Sequence, residues 1–80
     1  MALEYAAAGI RVNAVCPGFI ETRMTAGAMQ RRGERIIAGI PAGRLGQPEE
    51  IAEMVVWLLS ERASYVTGAA YNVDGGWMAV

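Results

Sequence analysis

The 80-residue chain contains no lysine and no histidine, and its only cysteine is Cys16. Nucleophile–base pairs and proton relays usually draw on those residues, so this chain by itself is poorly equipped for a complete acid–base site. The groups left for proton transfer are eight carboxylates, three tyrosines and Cys16. One cysteine excludes an internal disulfide and fits a reducing compartment. Zinc centres built from cysteine and histidine are excluded as well. Basic charge is scarce: seven arginines stand against eight acids, and the net charge is −1. A broad nucleic-acid footprint is therefore absent. Long apolar runs are missing too. The longest strongly apolar stretch is Met54–Leu59, far short of the ~20 residues that cross a bilayer. Met1-Ala2-Leu3-Glu4 shows no basic-then-apolar leader. These features predict a cytoplasmic protein with no membrane partner and no nucleic-acid partner.

Core-type residues are plentiful. The apolar set makes up 54% of the chain, which argues against disorder. The length allows at most one small domain, and a chain of this size buries only about 60–65% of its unfolded surface. Some apolar faces are therefore expected to cover material outside these residues.

MALEYAAA (1–8) reads as helix, with Gly9 as its left-handed stop. No capping residue or lead-in loop precedes it, so it reads as the last two turns of a longer helix, with Met1 an internal residue. Ile10–Cys16 reads as a strand with Ile10, Val12, Ala14 and Cys16 on one face. Pro17-Gly18 ends it. Residues 19–35 read as a loop with a short helix starting near Thr22, which can cap it. Pro48–Ser60 is the clearest helix. Pro48 suits its first turn, Glu49 and Glu50 complement its dipole, and Ile51, Ala52, Val55, Leu58 and Leu59 form its apolar face. After the turn Thr67-Gly68, Ala69–Asp74 reads as a second strand. Gly75-Gly76 breaks it, and the tail Trp77-Met78-Ala79-Val80 has no assigned element. The order strand, helix, strand predicts a βαβ unit with parallel strands. Parallel sheets are normally covered on both faces, and these elements are too few to do that.

At this point the residues resemble a family. Gly9-Ile10-Arg11-Val12-Asn13-Ala14-Val15-Cys16-Pro17-Gly18 with Ile20 and Thr22 is similar to the short-chain dehydrogenases/reductases. So are Pro41-Ala42-Gly43-Arg44-Leu45-Gly46-Gln47-Pro48-Glu49-Glu50-Ile51-Ala52, Ser64-Tyr65-Val66-Thr67-Gly68 and Val73-Asp74-Gly75-Gly76. The blocks stand in the family's order across nearly the whole chain. The resemblance implies an α/β fold, with residues 1–80 forming the carboxyl-terminal portion of a single Rossmann-type domain. It implies an NAD- or NADP-dependent oxidoreductase acting on a secondary alcohol or ketone. The family's Gly-rich phosphate turn and catalytic Ser have no counterpart here. Its Tyr-x-x-x-Lys pair also fails, because Tyr5, Tyr65 and Tyr71 are followed four positions on by Gly9, Ala69 and Gly75. No catalytic residue is therefore assigned, and the chain alone is expected to be inactive.

The resemblance carries over the nicotinamide side of the cofactor site. Pro17 and Gly18 match the turn beneath the ring. Ile20 matches the position whose backbone holds the carboxamide, and Thr22 matches a hydroxyl that reaches the carboxamide or pyrophosphate. Without the resemblance, Pro17-Gly18 is a strand-ending turn and Thr22 a helix cap. Residues 23–40 match a substrate loop, where Met24 and Met29 fit an adaptable lid or ordinary helix packing. Arg31, Arg32 and Arg35 read as a solvated face or as a seat for an anionic substrate or for adenylate phosphates. Trp57 falls inside the polar arc of its helix, flanked by Glu50 and Glu53. It reads as a partner surface or as a lone exposed ring. The resemblance favours homo-oligomer contact through the 48–60 helix and the 69–74 strand. Asp74 reads as a turn residue, Arg44 as structural, and Cys16 as having no basic neighbour to activate it. A second function class stays open: a non-catalytic fragment that self-associates or docks on full-length relatives.

Overall fold

The structure is a computed structural model that describes residues 1–79. Val80, read above with the apolar tail, lies outside them. The elements are α1 (Ala2–Tyr5), continued by a 3-10 turn over Ala6–Ala8, then β1 (Ala14–Pro17), α2 (Arg23–Ala38), α3 (Pro48–Leu59) and β2 (Ala70–Val73). Single 3-10 turns follow α3 at Glu61–Ala63 and β2 at Trp77–Ala79. β1 and β2 pair in parallel, with Ala14 opposite Ala70 and Pro17 opposite Val73. The predicted α/β architecture and strand direction therefore hold.

Local chemistry fixes the element ends. Gly9 closes the first helical stretch at φ 80°. Pro48 opens α3 with Glu49 and Glu50 in its first turn. At the other end Ser60 donates its hydroxyl to the Trp57 carbonyl at 2.6 Å and accepts from the Arg62 N–H at 3.2 Å. These bonds satisfy groups that a helix end leaves without partners.

The structure changes two expectations and decides one point that the sequence leaves open. The ladder begins at Ala14, not Ile10. Opposite residues 11–13 the chain runs through the Val66–Gly68 turn, so side chains take over the pairing. The Val12 N–H donates to Thr67 Oγ1 at 3.1 Å. Asn13 donates to the Val66 carbonyl at 2.9 Å and accepts from the Ala69 N–H at 3.1 Å. Arg11 donates to the Val66 and Ser60 carbonyls at 3.2 and 3.3 Å. Second, the inner face of β1, which the sequence leaves open, is the one that carries Val15. Val15, Tyr71 and Val73 are half-buried and in phase, and Val15 shares a cleft with Val55 and Leu58 of α3. Ala14, Cys16, Ala70 and Asn72 are exposed on the other face. The larger side chains lie on the side that α3 covers. Third, the expected short helix is α2, 16 residues long and kinked at Arg32.

The core is small. Ile40, Leu58 and Ala63 are the buried apolar residues among the described ones. On α3, Ile51 and Met54 are half-buried beside the buried Leu58, while Ala52, Val55 and Leu59 of the predicted apolar face are exposed. The solvent-accessible surface is 6191 Å², about 1,500 Å² more than a folded monomer of this mass usually exposes. The radius of gyration is 15.4 Å, against about 12 Å for a compact domain of this length. Both excesses match bare apolar faces rather than a self-contained core. Among the described residues, no helix is long and apolar enough to cross a membrane.

Candidate functional site

The carboxyl ends of β1 and β2 lie side by side, the end at which open parallel sheets bind ligands. The Gly18 N–H donates to the Val73 carbonyl at 3.1 Å, extending the ladder one step. A Cβ on Gly18 would lie 2.6 Å from Cβ and 2.9 Å from Cα of Asp74. Gly18 is thus small because the Asp74 turn presses against it, a reason internal to the fold. Asp74 is the turn residue expected. Its carboxylate accepts the Gly76 N–H at 2.9 Å and the Met78 N–H at 3.2 Å. That folds the tail back so that Trp77 meets Phe19 edge-on, with ring centroids 5.0 Å apart.

Phe19–Glu21 is held from one side. Gly46 donates its N–H to the Phe19 carbonyl at 2.9 Å and accepts the Glu21 N–H at 2.8 Å, a parallel bridge centred on Ile20. In such a bridge the N–H and C=O of Ile20 point away from Gly46, to the opposite edge. The Ile20 carbonyl accepts the Thr25 hydroxyl at 2.8 Å. The Ile20 N–H has no hydrogen-bond partner among the described residues. Thr22 comes next. Its own N–H donates to Thr25 Oγ1 at 2.9 Å, and its side-chain oxygen faces the Thr25 N–H in return, a capping box that starts α2 as the sequence predicts. One backbone donor, the Ile20 N–H, and the O–H of the capping Thr22 therefore stand side by side just past the sheet end.

An ionic latch backs this loop. Arg44 donates both guanidinium nitrogens to Glu50, at 2.8 and 3.0 Å. Glu50 also accepts the Gln47 N–H at 2.9 Å, and Gln47 Nε2 donates to Glu21 at 2.7 Å. The Arg44 hydrogen bonds chiefly, then the Gln47 N–H, hold the Glu50 carboxyl at about 2, well below the ordinary carboxylate range. The same pairing raises the Arg44 pKa. Arg44 is structural, as expected, but its partner was missed. The only sequence signal is an acid six residues further on, at the start of a helix.

Of the predicted site residues, Pro17, Gly18, Ile20 and Thr22 follow one another along this rim. Met29 lies with Thr22, Gln30, Ile37, Leu45 and Gln47 along an open groove between α2 and the Gly43–Gln47 loop. Met24 is 94% exposed and stands outside the groove. Trp57 is 38% exposed on the outer side of α3, far along the chain from this rim. Arg11 and Asn13, which zip the strand entry, carry no site chemistry. Among the described residues no cluster of three potential metal ligands occurs.

Parallel strands joined through helices, with ligand-accessible loops at their carboxyl ends, define part of a Rossmann-type α/β fold. The chain matches the family model described as enoyl-(acyl carrier protein) reductase over residues 1–78, and it belongs to the short-chain dehydrogenase/reductase family. It is 49% identical over 75 residues to a 3-oxoacyl-(acyl-carrier-protein) reductase of Thermotoga maritima, covering 94% of this chain and 30% of the relative. It is 49% identical over 77 residues to an acetoacetyl-CoA reductase of Shinella zoogloeoides, covering 95% of this chain and 32% of the relative. An Agrobacterium tumefaciens structure, provisionally named a 2-deoxy-D-gluconate 3-dehydrogenase and solved with bound NADP, superimposes with a TM-score of 0.92. It shares 52% identity, over 99% of this chain and 33% of that one. The chain thus spans about a third of the length of these relatives.

Proposed function

We propose that these residues are the carboxyl-terminal part of a single-domain NAD(P)-dependent oxidoreductase that interconverts a secondary alcohol and a ketone. Their share of the site is the nicotinamide side of the cofactor pocket, at Pro17, Gly18, Ile20 and Thr22. The observation that carries this reading is the unpaired Ile20 N–H. A backbone donor next to the Thr22 hydroxyl, which keeps its O–H and a second lone pair beyond its capping role, suits a primary carboxamide, which needs both a donor and an acceptor. The groups present therefore fit a nicotinamide cofactor. Once bound, its ring supplies or accepts the hydride. The Gly46 bridge and the Glu50 latch keep Ile20 in place, so the donor is preorganised. α2, with Met24 and Met29, borders the substrate side as an adaptable wall. The chain holds neither Lys nor His, and none of its tyrosines is followed four positions on by Lys. We therefore expect the 80 residues alone to be inactive.

A chimera tests this reading: the chain replaces the matching third of the T. maritima reductase, and NADPH oxidation is followed at 340 nm. Turnover is expected in the chimera and not in the isolated chain. Thr22→Val should raise the chimera's KM for NADPH several-fold, in line with one lost hydrogen bond. An unchanged KM would remove Thr22 from the cofactor site. NADPH oxidation by the isolated chain above a protein-free blank would refute its inactivity.

A second reading has its own support. Val56, Trp57 and Leu59 are exposed along α3, and large apolar patches mark interaction surfaces. On this reading the chain self-associates, or docks on full-length relatives, through α3 and β2 without catalysis. Light scattering after size exclusion tests it: association weakened by Trp57→Ala supports it, and a monodisperse monomer counts against it.

A further inference from the structure

Phe19 and Ile20 share one peptide unit, and that unit carries the donor at the rim. Its carbonyl accepts the Gly46 N–H at 2.9 Å, and its N–H is the unpaired one of Ile20. A trans peptide is planar, with N–H and C=O on opposite sides. The tilt of this one plane therefore sets where the Ile20 N–H points. The Gly46 bridge holds the segment from one edge only. Beside it lies a cavity of about 90 Å³, lined in part by Phe19, Ile20, Glu50 and Ile51. Backbone bonds on one edge leave the plane room to tilt into that space, so a second constraint is needed to fix it.

Trp77 supplies one. Its ring meets Phe19 edge-on, a favoured geometry for two aromatic rings. The Asp74 turn puts it there: the Trp77 N–H donates to the Asp74 carbonyl at 3.2 Å, and the Ala79 N–H to the Gly76 carbonyl at 3.0 Å. The indole also lies against Gly39, just past the end of α2. A Cβ on Gly39 would stand 2.7 Å from Cζ3 and 3.3 Å from Cη2 of the indole. Gly39 sits at φ −85° and ψ −6°, a turn conformation compatible with most residue types. Its backbone does not call for glycine; the indole does. Trp77 is 37% exposed, so the ring adds little to the core. Its two contacts join the rim to the end of α2.

We propose that Trp77 is a positioning residue: resting on Gly39 and gripping the Phe19 ring, it sets the tilt of the Phe19–Ile20 peptide and so aims the Ile20 N–H at the carboxamide oxygen of the cofactor. This deepens the cofactor reading and rests on it for the acceptor. Isothermal titration calorimetry on the chimera compares NADP with its thionicotinamide analogue, in which sulfur, a weak acceptor, replaces the carboxamide oxygen. The parent chimera should bind NADP several-fold more tightly than the analogue, and Trp77→Ala should bring the two Kd values within a factor of about two. Gly39→Ala should narrow the gap as well, because its Cβ displaces the indole while Trp77 is still present. Partial unfolding weakens both ligands alike and cancels in the ratio, so a merely structural role for Trp77 leaves the gap unchanged. A gap as wide in Trp77→Ala as in the parent overturns the proposal, and so does a Gly39→Ala chimera that keeps the full gap. If the Trp77→Ala chimera does not fold, Gly39→Ala decides alone. Equal Kd values for the two ligands in the parent chimera defeat the carboxamide reading and the proposal with it. A parent gap that survives the substitutions defeats the proposal and leaves that reading standing.

Discussion

α2 and α3 are neighbours in sequence and opposites in construction. α3 opens on Pro48, is tied at its first turn by Arg44 and Gln47 through Glu50, and buries Leu58 beside both strands. α2 opens on neutral hydroxyls, is kinked at Arg32, buries nothing and carries most of the chain's positive charge. One helix is scaffold, held by core contacts and charge. The other packs loosely on the rest of the fold. The site lies between them, on a loop that α3's latch fixes and from which α2 departs.

The difference can be broken most forcefully at the core. Leu58→Ala should cost about 2–5 kcal/mol and lower the urea midpoint or abolish cooperative unfolding followed by far-UV circular dichroism. Gly18→Ala comes next. Its new Cβ would meet Asp74 backbone and Cβ, neither of which can swing aside, and overpacking of this kind costs about 1–3 kcal/mol. Gly46→Ala meets only the tip of the Ile20 side chain, so it should cost visibly less than Gly18→Ala in the same urea series. The reverse order would contradict the strand-end packing described above.

The latch gives α3 a pH signature that α2 lacks. Glu50 titrates at about 2 in the folded chain, against an ordinary value of 4.5. Its lowered pKa means the carboxylate stabilises the fold fully above about pH 4.5, and that contribution is lost as pH falls toward about 2. Glu50→Gln should therefore unfold more easily than the parent near pH 6, with the gap narrowing steadily below pH 4.5 and closing only as the pH falls through about 2, as read from urea midpoints at each pH. The size is small because the pair is solvent-exposed. The smallest effect belongs to α2. Met24→Ala should change stability by less than about 0.5 kcal/mol, and amide hydrogen exchange along α2 should outpace that along α3. Equal protection of the two helices would end the distinction.

Some of this was readable residue by residue. Gly9 stops a helix because only glycine takes a positive φ without cost. Pro48 with two glutamates starts one because the free N–H groups and the dipole there favour them. Asp74-Gly75-Gly76 announces a turn. The order of these signals carried the parallel pairing and the family, and with it the rim from Pro17 to Thr22. Other features were not readable. The inner face of β1 could not be chosen, since Val15 and the Ala14–Cys16 pair both read as apolar and only the position of α3 decides. The unpaired Ile20 N–H appears only once Gly46, 26 residues away, engages the flanking groups.

The sequence by itself determined where elements start and stop, which side of the charge balance each helix takes, and what chemistry the chain lacks. These are properties of short windows, set by backbone sterics, dipoles and side-chain type. Tertiary structure alone decided that Gly18 yields to Asp74, that Glu50 belongs to Arg44 and that Trp77 folds onto Phe19. Each of these depends on which distant groups the folded backbone brings within a few ångströms, and no local window contains that information.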